Sequence, residues 1–269
     1  MMVRFTKMNG AGNDFVLIDN RSGAYKFSPG QIAFLCDRHR GIGADGLLLV
    51  EPATGNADFR MRYYNRDGGE AEMCGNGARC FTRFVHKIGG AIAEVRFETQ
   101  AGIIAARIDG EWVTLAMSLP QELVLHRTLE VDGVKLSAHS VNTGVPHAVT
   151  FVDDIESAPV LRWGAQIRHH PAFLPNGTNV NFIEEIEPGK IAIRTYERGI
   201  EAETLACGTG VTAAGLIYAA LSEAPSPVRL LARGGDWLEV GFHKSGTGFE
   251  DVTLKGPADF VFEGCIEIP

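Results

Sequence analysis

The sequence has few of the features that mark a nucleic-acid-binding protein. Lys and Arg together number 25 against 33 Asp and Glu, so the net charge is −8. The longest basic run is Arg38-His39-Arg40. Because an acidic surface repels a phosphate backbone, we expect no nucleic-acid partner and favour a small-molecule ligand.

Long hydrophobic runs are also missing. No uninterrupted apolar segment approaches the roughly 20 residues that a membrane-spanning helix needs. The N-terminal segment, residues 1–7, carries polar side chains where a signal peptide would require an apolar stretch. We therefore expect no membrane association and a cytoplasmic location.

Cysteine is scarce and irregularly spaced. The chain has five cysteines, and no two of them form a Cys-x-x-Cys pair. The spacing Cys74-x5-Cys80-x5-His86 does not match the tight spacings of structural zinc sites. These features predict reduced thiols in a reducing compartment and no metal site.

The size and composition are those of a globular protein of one large or two medium domains. The chain has 269 residues, of which 45% are apolar, and its 32 glycines separate many short β-like runs. Strands are predicted over residues 15–19, 46–51, 59–64, 94–98, 103–108, 113–117, 179–183, 191–196, 228–231, 237–242, 251–255 and 259–263. Many strands with few helices indicate a mixed α/β (α+β) fold without regular βαβ alternation.

Three helices are predicted from capping and periodicity. Ser28-Pro29-Gly30-Gln31 has the residues of a capping box, which predicts a helix that runs to Arg40 and stops at Gly41. Two more helices are expected just after Cys74 and Cys207. Their apolar faces would be formed by Ala78, Phe81, Val85 and Ile88 in the first and by Val211, Ala214, Tyr218 and Leu221 in the second.

An internal repeat organises these elements. Both copies read Tyr-x-Arg, then Glu-Ala-Glu, then Cys-Gly-x-Gly, starting at Tyr64 and at Tyr196, and Asn9-Gly-Ala-Gly is echoed by Asn142-Thr-Gly-Val. The offsets between the copies at Asn9, Tyr64 and Cys74 are 133, 132 and 133 residues. We therefore expect two homologous, pseudo-symmetric domains, 1–118 and 119–256, with the final segment 257–269 completing the first.

The repeated Cys-Gly-x-Gly motif suggests acid–base chemistry. A cysteine at a helix start lies where the helix dipole favours a thiolate, and glycines let a ligand approach the backbone. If the two cysteines, Cys74 and Cys207, faced each other across a cleft, one could take a proton from a carbon and the other return one to the opposite face. Such a pair would invert the configuration of that carbon.

Seven motifs together resemble the diaminopimelate epimerases, which interconvert LL- and meso-diaminopimelate in lysine and peptidoglycan precursor synthesis. The motifs are Asn9-Gly-Ala-Gly-Asn-Asp-Phe15, Asp37-Arg-His-Arg-Gly-Ile-Gly-Ala-Asp-Gly46, Cys74-Gly-Asn-Gly-Ala-Arg-Cys80, Gly144-Val-Pro-His147, Thr178-Asn-Val-Asn-Phe182, Tyr196-Glu-Arg-Gly199 and Cys207-Gly-Thr-Gly210. The resemblance implies two curved, mostly antiparallel sheets or barrels, each around a central helix, with the active site in the cleft between them. It also implies a homodimer that uses no cofactor and no metal.

The resemblance further assigns roles to residues of this chain. Cys74 and Cys207 would be the acid–base thiols, with His147 and Glu197 as polar partners near them. The remaining expected substrate-binding residues are Asn13, Asn65, Gly75, Asn76, Asn179, Arg198, Gly208 and Thr209, and Glu197 is expected to bind substrate as well. Two positions depart from the family pattern, because Val145 replaces a frequent Asn and Gly46 replaces a Gln of some members.

Other functions remain open at this stage. A hydrolase or transferase could use Cys74 or Cys207 as nucleophile with His147 as base, but it would leave the second cysteine unexplained. A thiol redox sensor or a small-molecule carrier is a non-enzymatic alternative. Among epimerases, proline racemase is the nearest rival.

Some features are interpreted as structural. Gly41-Ile-Gly43-Ala-Asp-Gly46 matches a dinucleotide-binding pattern, but it precedes a strand rather than follows one, so nicotinamide binding is rejected. The other three cysteines, Cys36, Cys80 and Cys265, are expected to be buried packing residues.

Overall fold

A computed structural model describes residues 1–246 and 248–268 of the chain, and its contacts divide into two units. The first unit comprises Met1–Leu115 and the C-terminal segment that begins at Gly256, and the second comprises Ala116–Lys255. Both contain strands and helices, so the predicted mixed α/β class is confirmed.

The first unit is built from the first part of the chain and the C-terminal strand. In chain order its elements are β1 Met2–Gly10, β2 Asn13–Asp19, α1 Pro29–Cys36, β3 Gly46–Pro52, β4 Phe59–Asn65, β5 Glu70–Ala71, α2 Gly75–Gly89, β6 Glu94–Thr99, β7 Gly102–Asp109, β8 Trp112–Ala116 and, at the C-terminus, β18 Asp259–Glu267.

The second unit contains the remaining elements. They are β9 Gln121–Val131, β10 Val134–Asn142, β11 Pro146–Phe151, α3 Val160–Arg168, a 3-10 turn Pro171–Phe173, β12 Asn179–Glu187, β13 Lys190–Glu197, β14 Ala202–Thr204, α4 Gly208–Ser222, β15 Val228–Ala232, β16 Trp237–Ser245 and β17 Gly248–Pro257.

Strand pairing repeats from one unit to the other. In the first unit, three antiparallel groups are formed, β18-β1-β2, β3-β4-β5 and β6-β7-β8. Two parallel pairs, β2 with β3 and β4 with β6, join these groups. In the second unit, the antiparallel groups are β9-β10-β11, β12-β13-β14 and β15-β16-β17. The parallel pairs β11 with β12 and β13 with β15 join them. The predicted repeat of two mostly antiparallel domains is confirmed.

In each unit one long helix contacts most of the sheet. Helix α2 packs on β1, β2, β3, β4 and β7, and α4 packs on β10, β11, β12, β13, β15 and β16. The predicted apolar faces are confirmed, since all of their residues are buried except the half-buried Ile88 and Leu221. These contacts fix the position of each helix start, where the candidate thiols lie.

Helix α1 begins as predicted and ends earlier than predicted. The Ser28 side chain accepts a hydrogen bond from the Gln31 amide, and the Gln31 side chain accepts one from the Ser28 amide, which completes the capping box. The helix ends at Cys36 and not at Arg40, because the Asp37 carboxylate accepts hydrogen bonds from the amides of His39 and Arg40. Those two bonds hold the following residues in a turn.

Several elements were not predicted from the sequence. They are the strands β1, β5, β11 and β14, the hairpin β9–β10, helix α3 and the 3-10 turn. The hairpin carried a usable signal, because Asp132-Gly133 at its turn has positive φ at both residues, 56° and 74°, as a type I′ turn requires. Helix α3 has no capping side chain at Pro159, so its start left no such signal.

The cysteines expected to be structural differ in their surroundings. Cys36 belongs to the core cluster of the first unit, where burial raises the pKa of its thiol to about 12. Cys80 is fully buried in α2, and burial likewise raises the pKa of its thiol. Cys265 is exposed on β18, so the prediction that it is buried was wrong.

Candidate active site

Cys74 is the N-cap residue of α2. Its backbone is extended, with φ −139° and ψ 122°, and its side chain does not cap the helix. The amide N–H groups of a helix's first turn have no acceptor within the helix, and the first turn of α2 contains no acidic residue. The amides of Gly75 and Asn76 therefore form part of a positively polarised helix end next to the thiol.

Asn13, Cys74 and Asn76 lie together in the first unit. Cys74 Sγ lies 3.5 Å from Asn13 Oδ1, and Asn76 Nδ2 lies 3.5 Å from the same oxygen. Asn13 Nδ2 donates a hydrogen bond to Asp45 Oδ2 at 2.7 Å. The Arg38 guanidinium donates to Asp45 Oδ1 at 2.9 Å. Three of the predicted site residues are thus brought together, and Asp45 is a partner that sequence reasoning missed.

Behind Asn13 lies a group of four charged residues, Lys7, Asp14, Arg38 and Asp45, which we call the Asp14 cluster. The Arg38 guanidinium donates to both oxygens of Asp14, at 2.9 and 2.7 Å, and Lys7 Nζ lies 2.8 Å from Asp14 Oδ2. Burial alone would raise the pKa of Asp14, but the hydrogen bonds from Arg38 and Lys7 outweigh burial and hold it well below its usual range. The cluster contains two positive and two negative charges.

Asn65 lies at the end of β4 and pairs with Gly46 of β3. Its Oδ1 accepts a hydrogen bond from the Tyr63 hydroxyl at 2.9 Å, and its backbone carbonyl accepts one from the amide of Gly68. The side chain thus contacts its own strand, and the backbone carbonyl closes the turn that follows β4.

Cys207 is the N-cap residue of α4 and repeats the position of Cys74. Its backbone is extended, with φ −118° and ψ 109°, and its side chain does not cap the helix. Cys207 Sγ lies 3.5 Å from Thr209 Oγ1. The Thr143 hydroxyl donates to the Thr209 carbonyl at 2.9 Å, which ties the first turn of α4 to the end of β10.

His147 on β11 is fully buried and connects this helix start to the sheet. Its Nε2 lies 2.9 Å from Thr209 Oγ1, and its Nδ1 lies 3.2 Å from Asn181 Nδ2. Burial lowers the pKa of His147 to about 3, and the positive charge of Arg198 acts in the same direction. The side chains of Asn181, His147, Thr209 and Cys207 therefore form a continuous chain around a neutral imidazole.

Asn179, Glu197 and Arg198 lie near the start of β12 and the end of β13. Asn179 Oδ1 accepts from the Arg198 amide at 2.8 Å, and its Nδ2 donates to the Pro146 carbonyl at 3.1 Å. Burial raises the pKa of Glu197, and the Thr204 hydroxyl opposes that rise. Asn179 thus connects three segments and holds the backbone of Arg198 in place.

Gly210 is required by the close approach of α4 to β12. A Cβ at this position would lie 2.5 Å from Asn181 Oδ1 and 3.4 Å from His147 Cε1. We expect Gly210→Ala to displace Asn181 and to lower the free energy of unfolding by about 1–3 kcal/mol, as overpacking does. Urea unfolding followed by circular dichroism measures this change.

The matched control is Gly30→Ala in α1. A Cβ there would meet only the Ser28 hydroxyl oxygen, at 4.0 Å. Alanine is favoured over glycine in a helix, so stability should stay equal or rise by about 0.5–1 kcal/mol. Equal losses in the two variants would contradict the close contact inferred for Gly210.

The described residues, 1–246 and 248–268, contain no group of three or more His, Cys, Asp or Glu side chains that could hold a metal ion. Over the same part of the chain, no helix is both long and apolar enough to cross a membrane.

Comparison with known proteins gives consistent matches. A family model described as diaminopimelate epimerase matches residues 5–121 and 139–261. The chain is 42% identical over 268 residues to the diaminopimelate epimerase of Chlorobaculum tepidum, covering 97% of this chain and 100% of that protein. It is 44% identical over 286 residues to the diaminopimelate epimerase of Azoarcus sp. strain BH72, covering 100% of both.

Solved structures show the same fold at low sequence identity. A PhzF-family phenazine biosynthesis protein from Bacillus anthracis matches with a TM-score of 0.76 and 17% identity over 100% of both chains. A hydroxyproline epimerase from Agrobacterium vitis matches with a TM-score of 0.69 and 18% identity, covering 98% of this chain and 92% of that one. These two likenesses support the fold alone.

Proposed function

The chain belongs to the diaminopimelate epimerase family, and from that premise we propose that it converts LL-2,6-diaminopimelate to meso-diaminopimelate by proton transfer at one α-carbon. The reaction serves lysine and peptidoglycan precursor biosynthesis. One observation carries the proposal: each unit of the repeat places a cysteine at the N-cap of its long helix.

We take Cys74 and Cys207 to act as a two-base pair, each unit supplying one thiol. One cysteine, as thiolate, removes the α-proton and becomes a thiol. The other, as thiol, donates its proton to the opposite face of the carbon and becomes a thiolate. One C–H bond breaks and one forms, so the reaction consumes no oxidant or reductant, and the product differs from the substrate only in configuration.

Removal of an α-proton from an amino acid requires strong stabilisation of the negative charge that develops. The first-turn amides of α2 and α4, at Gly75-Asn76 and Gly208-Thr209, are suited to bind the α-carboxylate and that charge. Both helix starts lack acidic residues in the first turn, which leaves their positive polarity uncompensated there.

The distal amino-acid end of the substrate is assigned to a separate group of side chains. On the family likeness, this group is Asn13, Asn65, Asn179 and Arg198. Asn179 Oδ1 accepts a hydrogen bond from the Arg198 amide at 2.8 Å, which fixes the backbone position from which the guanidinium extends. The half-buried guanidinium of Arg198 is suited to a carboxylate.

Replacing Arg198 by methionine should therefore weaken binding more than chemistry. We expect KM for diaminopimelate to rise about 10- to 100-fold, the value of a lost charge-assisted hydrogen bond, with a smaller change in kcat. Arg107→Met removes an exposed arginine that pairs only at 3.9 Å with Glu94 and should leave both constants unchanged. A fall in kcat with an unchanged KM would contradict the binding role of Arg198.

A Cys-His hydrolase is the alternative from another class. In such enzymes the histidine accepts the proton of the nucleophilic thiol. Here His147 Nε2 contacts the Thr209 hydroxyl at 2.9 Å, and burial lowers the pKa of His147 to about 3. Both features make His147 a weak general base, and a hydrolase would leave the duplicated cysteine without a role. We therefore favour the epimerase.

Proton NMR of LL-diaminopimelate in D2O with reduced protein tests the proposed function. We expect loss of the α-proton signal together with the appearance of the meso isomer. Absence of exchange in the fully reduced protein would contradict the assignment, and proline would then be the next substrate to test.

We further propose that the enzyme is a cytoplasmic homodimer, on the family likeness. Light scattering behind size-exclusion chromatography tests the assembly, since a monomer of 29.1 kDa is readily separated from its dimer.

A further inference from the structure

We propose that Asn181 and Asp45 are positioning residues that give the two thiols opposite resting states, so that Cys207 is a thiolate and Cys74 a thiol before substrate binds. The inference rests on the proposed two-thiol reaction and deepens it. Within each unit separately, the resting state follows from hydrogen bonds whose direction is fixed by their partners.

In the second unit the direction starts at Asn181. Its Nδ2 lies 2.9 Å from the Ala148 carbonyl, which can only accept, and the Thr195 hydroxyl lies 2.9 Å from its Oδ1. The amide nitrogen is therefore the atom that faces His147 Nδ1, at 3.2 Å. Because an amide nitrogen only donates, Nδ1 must be the unprotonated nitrogen of the ring.

The neutral ring then carries its proton on Nε2. That proton is donated to Thr209 Oγ1 at 2.9 Å. With this lone pair used, the Thr209 hydroxyl can turn its own proton towards Cys207 Sγ, 3.5 Å away. A hydroxyl that donates to sulfur stabilises the thiolate of Cys207 and opposes its protonation.

In the first unit the direction is reversed. Asn13 Nδ2 lies 2.7 Å from the Asp45 carboxylate, which can only accept, so the amide nitrogen points there. Its Oδ1 is left facing Cys74 Sγ at 3.5 Å. An amide oxygen only accepts, so Cys74 must donate its S–H proton to make this bond. Asn13 thus stabilises the thiol of Cys74 and disfavours the thiolate.

Charged groups near each thiol also act on its ionisation. Near Cys74, the Asp14 cluster has two charges of each sign. Arg79 of α2 donates to Asn76 Oδ1 at 2.8 Å and to the Pro257 carbonyl at 3.2 Å, so its guanidinium is engaged by other acceptors. In the second unit, His147 of β11 contacts Thr209 at the start of α4, Glu197 is the last residue of β13, and the positive charge of Arg198 acts on His147.

None of these groups reverses the assignment. Burial lowers the pKa of His147 to about 3, so the imidazole carries no charge that would act on Cys207. Burial raises the pKa of Glu197, and the charge of Arg198, which acts on His147, is positive and so does not oppose a thiolate in the second unit. The resting enzyme would therefore first accept the isomer whose α-proton faces Cys207. The proton moves from carbon to Cys207 Sγ, and Cys74 gives its own proton to the carbon. Proton exchange with solvent or a reverse turnover restores the resting form.

Alkylation of the substrate-free, reduced protein by iodoacetamide tests the assignment. Peptide mass spectrometry gives the modification rate of each cysteine from pH 5 to 10, and the midpoint of each profile reports the apparent pKa of that thiol in the protein, which accessibility does not shift. We expect the midpoint of Cys207 to lie at least one pH unit below that of Cys74. Equal midpoints, or a lower one for Cys74, overturn the proposal.

Two pairs of variants test the direction of each hydrogen bond. Thr209→Val keeps the backbone amide but removes the hydroxyl, so the Cys207 midpoint should rise by about one pH unit, and Thr209→Ser should restore it. Asp45→Asn lets the Asn13 amide rotate and should lower the midpoint of Cys74 only, whereas the exposed variant Asp19→Asn should move neither. No change in the Cys207 midpoint in Thr209→Val would overturn the role of the hydroxyl.

The role of Asn181 has a direct spectroscopic readout. Long-range 15N–1H NMR of the histidine-labelled protein should show His147 neutral with its proton on Nε2, the signal being assigned by its loss in His147→Gln. A proton on Nδ1 would overturn the role of Asn181. Diaminopimelate turnover is measured on the same sample. If the Cys207 midpoint lies below that of Cys74 but no turnover occurs, only the proposed function is rejected. If turnover occurs but the Cys74 midpoint is the lower one, only this inference is rejected.

Discussion

Replacing either Cys74 or Cys207 by alanine is expected to lower kcat for LL-diaminopimelate by at least about 10³-fold. General acid–base groups contribute about 10²- to 10⁴-fold each, and a two-base inversion cannot be completed when one face of the carbon has no proton donor or acceptor. KM should change much less, because the thiols exchange protons with the substrate and do not anchor its charged ends. The measurement is the NMR assay in D2O with each purified variant.

The double variant distinguishes a cooperating pair from two independent contributions. Because the two thiols act in one reaction, their losses should not multiply. The kcat of the double variant Cys74→Ala/Cys207→Ala should lie within a few-fold of the kcat of the slower single variant. Cys265→Ala is the matched control, since it removes the exposed thiol of a β18 residue that pairs with Arg4 of β1. If one single variant kept more than a tenth of the wild-type rate, the two-base mechanism would be wrong and a single-cysteine enzyme would be favoured.

Much of the fold could be predicted because the repeat duplicates local signals. The Cys-Gly-x-Gly motif marked both helix starts, and the structure places Cys74 and Cys207 at equivalent N-caps. The β9–β10 hairpin was not predicted, although Asp132-Gly133 is typical of its turn. The end of α1 was predicted four residues too late, because the side chain of Asp37 ends the helix by accepting backbone hydrogen bonds. Helix periodicity gives no indication of such a side-chain hydrogen bond.

The site could be predicted only in part, and the reason is sequence separation. The thiols are identified by neighbours one to three residues away. The residues that direct their protons are distant, since Asn181 lies 34 residues after His147 and Asp45 lies 32 residues after Asn13. Only the pairing of parallel strands, β11 with β12 and β2 with β3, brings such residues together. A single sequence contains no signal for that pairing.

The largest stability effect is expected for Asp14→Asn in the Asp14 cluster. Lys7 is only 6% exposed and forms its ion pair with Asp14 at 2.8 Å. Removing one charge of a buried pair leaves the other uncompensated, which typically costs about 3–5 kcal/mol. Asp14 is itself partly exposed, so we expect a loss near the lower end, about 3 kcal/mol, in urea unfolding. Because Asp14 also pairs with Arg38, which holds Asp45, the variant should loosen Asn13 as well.

Asp19→Asn is the matched control on the same strand. Its partner Arg21 lies at 2.7 Å, but both side chains are more than a third exposed, so the loss should stay below about 1 kcal/mol. Similar losses in the two variants would show that the buried position of Asp14 does not matter.

The pH dependence of stability separates Asp14 from His147. The pKa of Asp14 is held below its ordinary value of 3.8, so the unfolded chain takes up the proton first and stability is lost as pH falls below about 4. Folding lowers the pKa of His147 from 6.5 to about 3. Between these two pH values the unfolded chain binds a proton that the folded chain does not, so stability falls as pH decreases through this range. Asp14→Asn should therefore flatten the stability profile below pH 4 while leaving the slope between pH 6.5 and 4 in place. A flattened slope in that upper window would mean that Asp14, and not the buried imidazole, controls the response to mild acid.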